Sequence, residues 1–321
     1  MRTRLFLDGG DPEETKAVLK RIGFLDGQTT NPSLIAKNPE ARKRLEQGNK
    51  FSRDEMFTFY RGVINTASSL LPQGSVSIEV YADADTSADD MLKQGKEMFT
   101  WVPNAHIKFP TSREGLKAAH AAVKAGLRVN MTLVFTQEQA AAVYAATQGA
   151  AKGQVFLSPF IGRLDDRGEN GMDLIANIIR MYGKGDGHME ALTASVRSLD
   201  HFLYALSLGS DIITAPFDII KLWGEKGLPF PGNDFHYDTK GLKAIPYREL
   251  DLSQPWESFD IHHDLTDKGM AKFSADWNAL CAELMEKTTS LTRTVNSCEI
   301  EIPGSCGLVI FGASGDLAKR K

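Results

Sequence analysis

Eight short β-like segments alternate with amphipathic helical stretches, the polar side chains of those segments keep to one parity, and they gather where the segments end. Together these observations predict an α/β fold, a (β/α)8 TIM barrel, with a long insertion after the eighth unit and an amphipathic C-terminal helix. The strands are expected around Arg4 to Asp8, Phe24 to Gln28, Val76 to Tyr81, His106 to Phe109, Arg128 to Thr132, Val155 to Ser158, Ala191 to Ser195 and Asp211 to Thr214. Helical periodicity separates them, for example over Asp11 to Arg21, Asp54 to Leu70, Gly115 to Ala125, Thr136 to Ala146 and Asp173 to Met181, and the rhythm stops after Phe217 to Trp223.

A parallel strand covered on both faces reads as continuous apolar sequence. These segments alternate instead. Val76, Ile78 and Val80 take one face of the third strand and Ser77, Glu79 and Tyr81 the other. In the same way Val129, Met131 and Leu133 oppose Asn130 and Thr132, and Ile107 and Phe109 oppose His106 and Lys108. The first strand sets Leu5 and Leu7 against Phe6 and Asp8; the seventh sets Leu192 and Ala194 against Thr193, Ser195 and, just beyond it, Arg197. Apolar faces must meet helices, so the polar parity is assigned to the barrel axis and the functional site to its C-terminal mouth.

Gly227 to Asp264 has no period and is rich in Pro, Gly, Asp and His, which marks a lid, a contact surface or a disordered segment. A last helix is expected from about Thr266 to Thr289, with Met270, Phe273, Trp277, Leu280 and Leu284 spaced by three and four. The domain reading is a barrel over residues 1–295, then a linker and a separate tail over 296–321. A net charge of -4 with both signs dispersed excludes the clustered basic footprint of a nucleic-acid partner. No apolar run approaches the roughly 18 residues of a spanning helix, and the chain starts with a strand-like segment in place of a signal peptide, so a cytoplasmic protein without a membrane partner is expected. Cys281, Cys298 and Cys306 fit no disulfide framework or metal pair and are read as free thiols. His262-His263-Asp264 is read as polar loop, because adjacent residues cannot readily ligate one tetrahedral ion; neither a metal nor another cofactor is expected.

Lys108, in the run Ala105-His106-Ile107-Lys108-Phe109-Pro110, sits where a charge is costly. Desolvation disfavours an ammonium, and the neutral amine it leaves is a nucleophile toward carbonyls. The plain alternative is a strand lysine whose stem carries its charge to the surface.

The ordered motifs around it narrow the choice: Asp8, Thr29-Thr30-Asn31-Pro32-Ser33, Glu79, Lys108 in I-K-F-P, Asn130-Met131-Thr132, Ser158-Pro159-Phe160-Ile161-Gly162-Arg163 and Ala194-Ser195-Val196-Arg197. From Arg4 to Trp223 this series resembles the transaldolases, Schiff-base enzymes of the pentose phosphate pathway. The resemblance implies that Lys108 attacks the C2 carbonyl of a ketose phosphate, that Asp8 is the acid/base at the C4 hydroxyl, and that Glu79 and Thr132 order a water for the dehydration steps. It implies that Asn31 and Asn130 hold the three-carbon fragment, that Ser158 and Phe160 shape the pocket, and that Arg163, Ser195 and Arg197 bind the phosphate of a sugar-phosphate substrate. Plain readings stand beside these: Asp8 as a turn aspartate before Gly9-Gly10, Asn31 as a cap before Pro32, the arginines as surface charges. The runner-up in the superfamily is a fructose 6-phosphate aldolase, which releases dihydroxyacetone instead of transferring it; those enzymes often carry Gln where this chain has Glu79 and Tyr where it has Phe160. The short N-terminus matches the smaller members, and the insertion departs from both groups. A competitor of another class is a silent barrel that docks a fused dehydrogenase.

Gly307 to Ala318 reads as an apolar strand running into a glycine turn, and G-A-S-G-D-L-A-K-R-K resembles the opening of glucose-6-phosphate dehydrogenase. With no following helix or strand, that fragment cannot cradle a nucleotide. The expectation is a fragment of a transaldolase–dehydrogenase fusion, against a chance glycine-rich tail.

Overall fold

The computed structural model describes residues 3–282 except 233, 234 and 240. Cys298, Cys306, the linker and tail of 296–321, and residues 283–289 of the expected C-terminal helix lie outside the described residues; within them that helix ends at Leu280, where Cys281 turns to extended backbone.

The chain forms, in order, β1 (Arg4–Asp8), α1 (Pro12–Ile22), β2 (Gly27–Thr29), α2 (Pro32–Ala36), α3 (Pro39–Glu46), α4 (Arg53–Leu70), β3 (Ser75–Glu79) and α5 (Ala88–Phe99). It continues through β4 (Ala105–Pro110), α6 (Arg113–Lys124), β5 (Val129–Val134), α7 (Gln137–Ala146), β6 (Val155–Pro159), α8 (Ile161–Asp165) and α9 (Gly171–Tyr182). Last come β7 (Met189–Thr193), α10 (Leu199–Ser207), β8 (Ile212–Ala215), α11 (Phe217–Glu225) and α12 (Asp264–Leu280). All eight strands pair in sequence order in one closed barrel, and β1 pairs with β8. The expected TIM barrel is what the sequence forms.

Local chemistry explains why the helices begin where they do. Ser52 and Thr136 build capping boxes with Glu55 and Gln139, and Ser87, Ser112 and Ser198 accept from the third backbone N–H beyond them. Apolar stripes then seat the helices on the strands. Leu5, Leu7, Val18, Ile213 and Phe202 pack together outside β1 and β8, while Val76, Ile78, Ile107, Met131 and Leu116 do so around β3 to β5.

Cross-strand register identifies the axial residues. One lateral row runs Glu79, Lys108, Asn130, Phe156, Glu190, and a second runs Asp8, Thr29, Ser77, His106. Because barrel strands are tilted, each row descends from the mouth to the floor. The parity assigned to β1 and β4 therefore holds, as it does in β3 as far as Glu79 and in β5 up to the register shift between Met131 and Val134.

Two strands differ from expectation. In β7 the inward residues are Glu190 and Leu192, and Thr193, paired with outward Ile213, bonds the Ser210 hydroxyl instead of facing the axis. The floor explains this: Arg4 on β1 takes Glu190 as its partner at 2.7 Å, which sets the parity one residue before the segment read from sequence. β2 begins at Gly27, later than Phe24, because Asp26 ends the preceding turn by accepting from the Leu5 N–H with its side chain and from the Ser75 N–H with its backbone. Tyr81 lies past β3 and bonds Asp83, so it is not an axial residue.

The insertion is a packed strap that carries a 3-10 turn at Trp256–Ser258. Side-chain amides and carboxylates of the barrel helices hold its backbone: Asp173 accepts from Ile245 N, Asn177 donates to Ile245 O, Gln137 bonds Pro246 O and Arg248 N, and Gln139 donates to Ile261 O. It carries the chain over α7 and α9 to α12. Of the His262-His263-Asp264 run, His263 caps α12 through Nδ1 and stacks on Phe135. Cys281 is a free thiol at the end of α12.

Candidate active site

Lys108 is placed by β4, in register with Glu79 of β3 on one side and Asn130 of β5 on the other, and its side chain lies at the axis. Its Nζ donates to the Thr30 carbonyl at 2.9 Å and lies 2.8 Å from Glu79 Oε2, both side chains being 4% exposed. The snorkelling alternative fails on that burial. The contact with Glu79 is a buried ion pair, and Oε2 keeps acceptor capacity that no other group of the described residues fills. The Thr132 hydroxyl is likewise buried without a partner. Buried polar groups are nearly always hydrogen-bonded. Two exceptions beside one lysine point to a water or substrate group that joins them.

Glu79 is held by its backbone as well. Its N–H donates to the Tyr60 hydroxyl at 3.0 Å, Tyr60 donates to Thr30 Oγ1, and Thr30 Oγ1 donates to the Ser77 carbonyl. Burial raises the Glu79 carboxyl above its ordinary value of 4.5, with the Lys108 charge pulling the other way. Burial likewise raises Tyr60, which stays a neutral donor.

Asp8 ends β1 at the half-open mouth. Desolvation raises its carboxyl above 3.8, while the Lys108 charge and a 2.7 Å hydrogen bond from Thr29 Oγ1 oppose that rise. Thr214 Oγ1 supports Thr29 from the far side at 2.6 Å. Asn130 is fixed by donating to Ser77 Oγ and accepting from Ser158 Oγ. Asn31 Oδ1 caps α2 by accepting from Leu34 N, and the residue also lines the cavity.

A cavity of about 370 Å³ opens above Lys108. Of the residues expected at the site, Asp8, Asn31, Lys108, Ser158, Phe160, Arg163, Ser195 and Arg197 line it. Glu79, Asn130 and Thr132 stand behind this wall, on the axis next to Lys108. Ser195 and Arg197 arrive by a turn: Ser195 has φ 60°, and its carbonyl accepts from Gly162 N. Arg197 lies along Gly162, where a Cβ would come within 2.5 Å of its Nε. Arg197 also pairs with Asp166. Arg163 has no hydrogen-bond or ion-pair partner among the described residues, and its guanidinium faces the rings of Phe160 and Phe273 at 5.3 and 5.5 Å.

Sequence reading missed Thr29, Thr214 and Tyr60, and the contribution of α12, which brings Lys272, Phe273 and Asp276 to the cavity. The threonines had a signal, since each is the last inward residue of its strand. Tyr60 had one too, as a hydroxyl in the middle of the apolar face of α4 with Met56, Val63 and Ile64.

Residues 5–284 match the family model described as Transaldolase/Fructose-6-phosphate aldolase. The chain is similar to a "Probable transaldolase" of Dehalococcoides mccartyi, 33% identical over 86% of this chain and 99% of that protein. It is similar to others of that description from Methanococcus maripaludis, 34% identical over 86% and 98%, and Brucella ovis, 35% identical over 85% and 96%. Among solved structures, 3-hexulose-6-phosphate synthase from Salmonella typhimurium aligns with 70% of this chain and 97% of its own at 14% identity and a TM-score of 0.44.

Proposed function

The chain belongs to the transaldolase/fructose-6-phosphate aldolase family, and on that premise we propose that Lys108 forms the Schiff base through which it moves a dihydroxyacetone unit between sugar phosphates. The protein is an enzyme of the transaldolase type. The observation that carries the residue assignment is the buried Lys108–Glu79 contact with unused bonding capacity on Glu79 Oε2 and Thr132 Oγ1.

Lys108 passes one ammonium proton to Glu79, its freed amine bonds to C2 of a ketose phosphate such as fructose 6-phosphate or sedoheptulose 7-phosphate, and the carbonyl oxygen takes up that proton to become a carbinolamine hydroxyl. Glu79, whose proton affinity burial raises, takes the nitrogen's proton and returns it to that hydroxyl through a water held with Thr132, and water leaves. The resulting iminium accepts the electron pair of the C3–C4 bond as Asp8 removes the C4 hydroxyl proton, which frees an aldose phosphate and leaves an enamine. An acceptor aldehyde then bonds to C3, Asp8 returns the proton, and hydrolysis restores Lys108. Asn31 and Asn130 hold the fragment's hydroxyls, Ser158 and Phe160 bound the pocket, and Arg163, Ser195 and Arg197 take the phosphate.

Borohydride with fructose 6-phosphate tests this: reduction traps a secondary amine, and peptide mass spectrometry should find it on Lys108. An adduct elsewhere, or none, sinks the assignment. Transfer is favoured over release because Glu79 and Phe160 stand where aldolases often carry Gln and Tyr. Dihydroxyacetone formed at an equal rate with and without erythrose 4-phosphate would reverse that choice.

Two wider readings rest on sequence alone. A place in the pentose phosphate pathway and in the cytoplasm suits the chemistry, and no helix among the described residues is long and apolar enough to cross a membrane. The words G-A-S-G-D-L-A-K-R-K support the start of a glucose-6-phosphate dehydrogenase domain after a barrel domain of 1–295, and a stop codon after Lys321 in the native gene would refute it.

A further inference from the structure

We propose that α12 is the positioning element of the phosphate site, and that Gly269 and Phe273 hold Arg163 in the pose that sets affinity for phosphorylated substrates. The inference rests on the reading of Arg163 as a phosphate ligand and adds the means by which it is held.

Arg163 lacks what usually fixes a partly buried arginine. With no carboxylate or hydrogen-bond partner among the described residues, its donors are open to a ligand, and its orientation depends on the surfaces around it. Those surfaces are the Phe160 ring, from the barrel, and the Phe273 ring, from α12. The third is Gly269. A Cβ there would lie 2.9 Å from Arg163 Nη1 and 2.6 Å from Leu133 Cδ2, so the helix runs against the guanidinium only because this position has no side chain.

The helix can act as a fixed bar because it is tied down across the mouth. Near its start Thr266 donates to the Leu133 carbonyl at 2.9 Å and accepts from Gln139 Nε2 at 2.9 Å. Toward its other end Asp276 accepts from Ser33 on α2 and from Lys272. Gly269 and Phe273, one helical turn apart, fall between these ties on the side facing the cavity. Arg197 is placed differently, with its own glycine in α8 and its own carboxylate, Asp166. The two arginines therefore answer to different elements, and only Arg163 answers to α12.

Gly269→Ala is the sharpest probe. The atoms its methyl would meet are the ends of two flexible side chains, Leu133 and Arg163, so they give way before the backbone does. The displaced guanidinium loses its aim while Lys108 is untouched. In the intact protein, the ratio of kcat/KM for fructose 6-phosphate to that for unphosphorylated fructose should fall at least about tenfold, a loss of about 1.4 kcal/mol in discrimination, chiefly through KM for the phosphorylated sugar. Inhibition by inorganic phosphate should weaken in parallel. Phe273→Leu should lower the same ratio in the same direction, which keeps the test alive if the alanine variant folds poorly; borohydride trapping with dihydroxyacetone on each variant reports an intact Lys108 site. Equal losses for both sugars, or an unchanged ratio in both variants, overturn the proposal. Arg163→Ala separates the layers: if it leaves phosphate inhibition unchanged, the ligand reading of Arg163 fails, whereas if it weakens inhibition and the α12 variants do not, the positioning role alone fails.

Discussion

The two ends of the barrel axis are built from the same strands and both carry buried polar side chains, yet they differ in how those side chains are satisfied. On the floor Arg4 pairs with Glu190 and lies over Phe156 at 5.2 Å, and Phe156 stacks on His106 with ring centroids 3.9 Å apart. Burial pushes the pKa of His106 down to about 3, so the ring is neutral; Nε2 donates to the Gly153 carbonyl, which leaves Nδ1 to accept from Ser75 Oγ. Every one of these groups has its partner. At the mouth, Glu79 Oε2, although 2.8 Å from Lys108 Nζ, and Thr132 Oγ1 have no hydrogen-bond partner, and burial raises the Asp8 and Glu79 carboxyls above their ordinary values of 3.8 and 4.5. Polar groups inside a barrel are thus not in themselves a sign of chemistry. Unused bonding capacity next to a titratable pair is.

Exchanging damage between the ends should separate activity from stability most strongly. Lys108→Met removes the nucleophile, and kcat should fall by about 10⁴-fold or more. Phe156→Ala empties the floor and should cost about 3–5 kcal/mol in urea unfolding, with kcat within about threefold of wild type where the variant is folded. The lysine variant also tests the sign of the linkage at Glu79. A carboxyl raised in the folded state adds stability below its unfolded value of 4.5 and loses it as pH rises through the folded value. Without the Lys108 charge that value rises further, so Lys108→Met should lose more stability at pH 8 than at pH 5, and a pH-independent difference would mean that the pair is not coupled.

A subtler break at the mouth targets Asp8. As the base for C–C cleavage it works as a carboxylate, so the acid limb of the kcat profile should lie above its ordinary 3.8, with activity lost as pH falls through that limb. Thr29→Val removes the donor that stabilises the carboxylate and should move the limb to higher pH, by up to about one unit. A limb that stays in place would take Asp8 out of the proton transfer.

The sequence was most legible where one residue type has few uses. Alternation in β3, β4 and β5 showed which side chains meet the axis, since a slip of one residue would have put Ile107 and Met131 there in place of Lys108 and Asn130. It misled in β7, where the deciding residue is Glu190, whose partner Arg4 is 186 positions away and invisible to any local window. Ser195 and Arg197 line the cavity, but they reach it through a turn with φ 60° at Ser195 and not through the strand parity assigned to them. The role of α12 was hidden for a related reason. Its heptad-like apolar stripe announces packing, and Phe273 belongs to that stripe, but nothing in the spacing says that the packing partner includes an arginine of the site.

The smallest effect expected is also the one that most directly tests the division of the axis. Glu190→Gln keeps the shape of the floor and removes one charge. Arg4 is 34% exposed against 7% for Glu190, so its guanidinium can turn to water, and the loss should be about 1 kcal/mol, between an exposed pair and a buried one. Added salt should leave most of that difference in place, because the carboxylate side of the pair is out of solvent. The lateral row that holds Glu190 also holds Lys108, three strands away, through Asn130 and Phe156. If the floor were electrically part of the active site, neutralising Glu190 would shift the acid limb or kcat. With Phe156 between them and every floor group already partnered, both should match wild type within about twofold, and a larger change would mean that the two ends are one site.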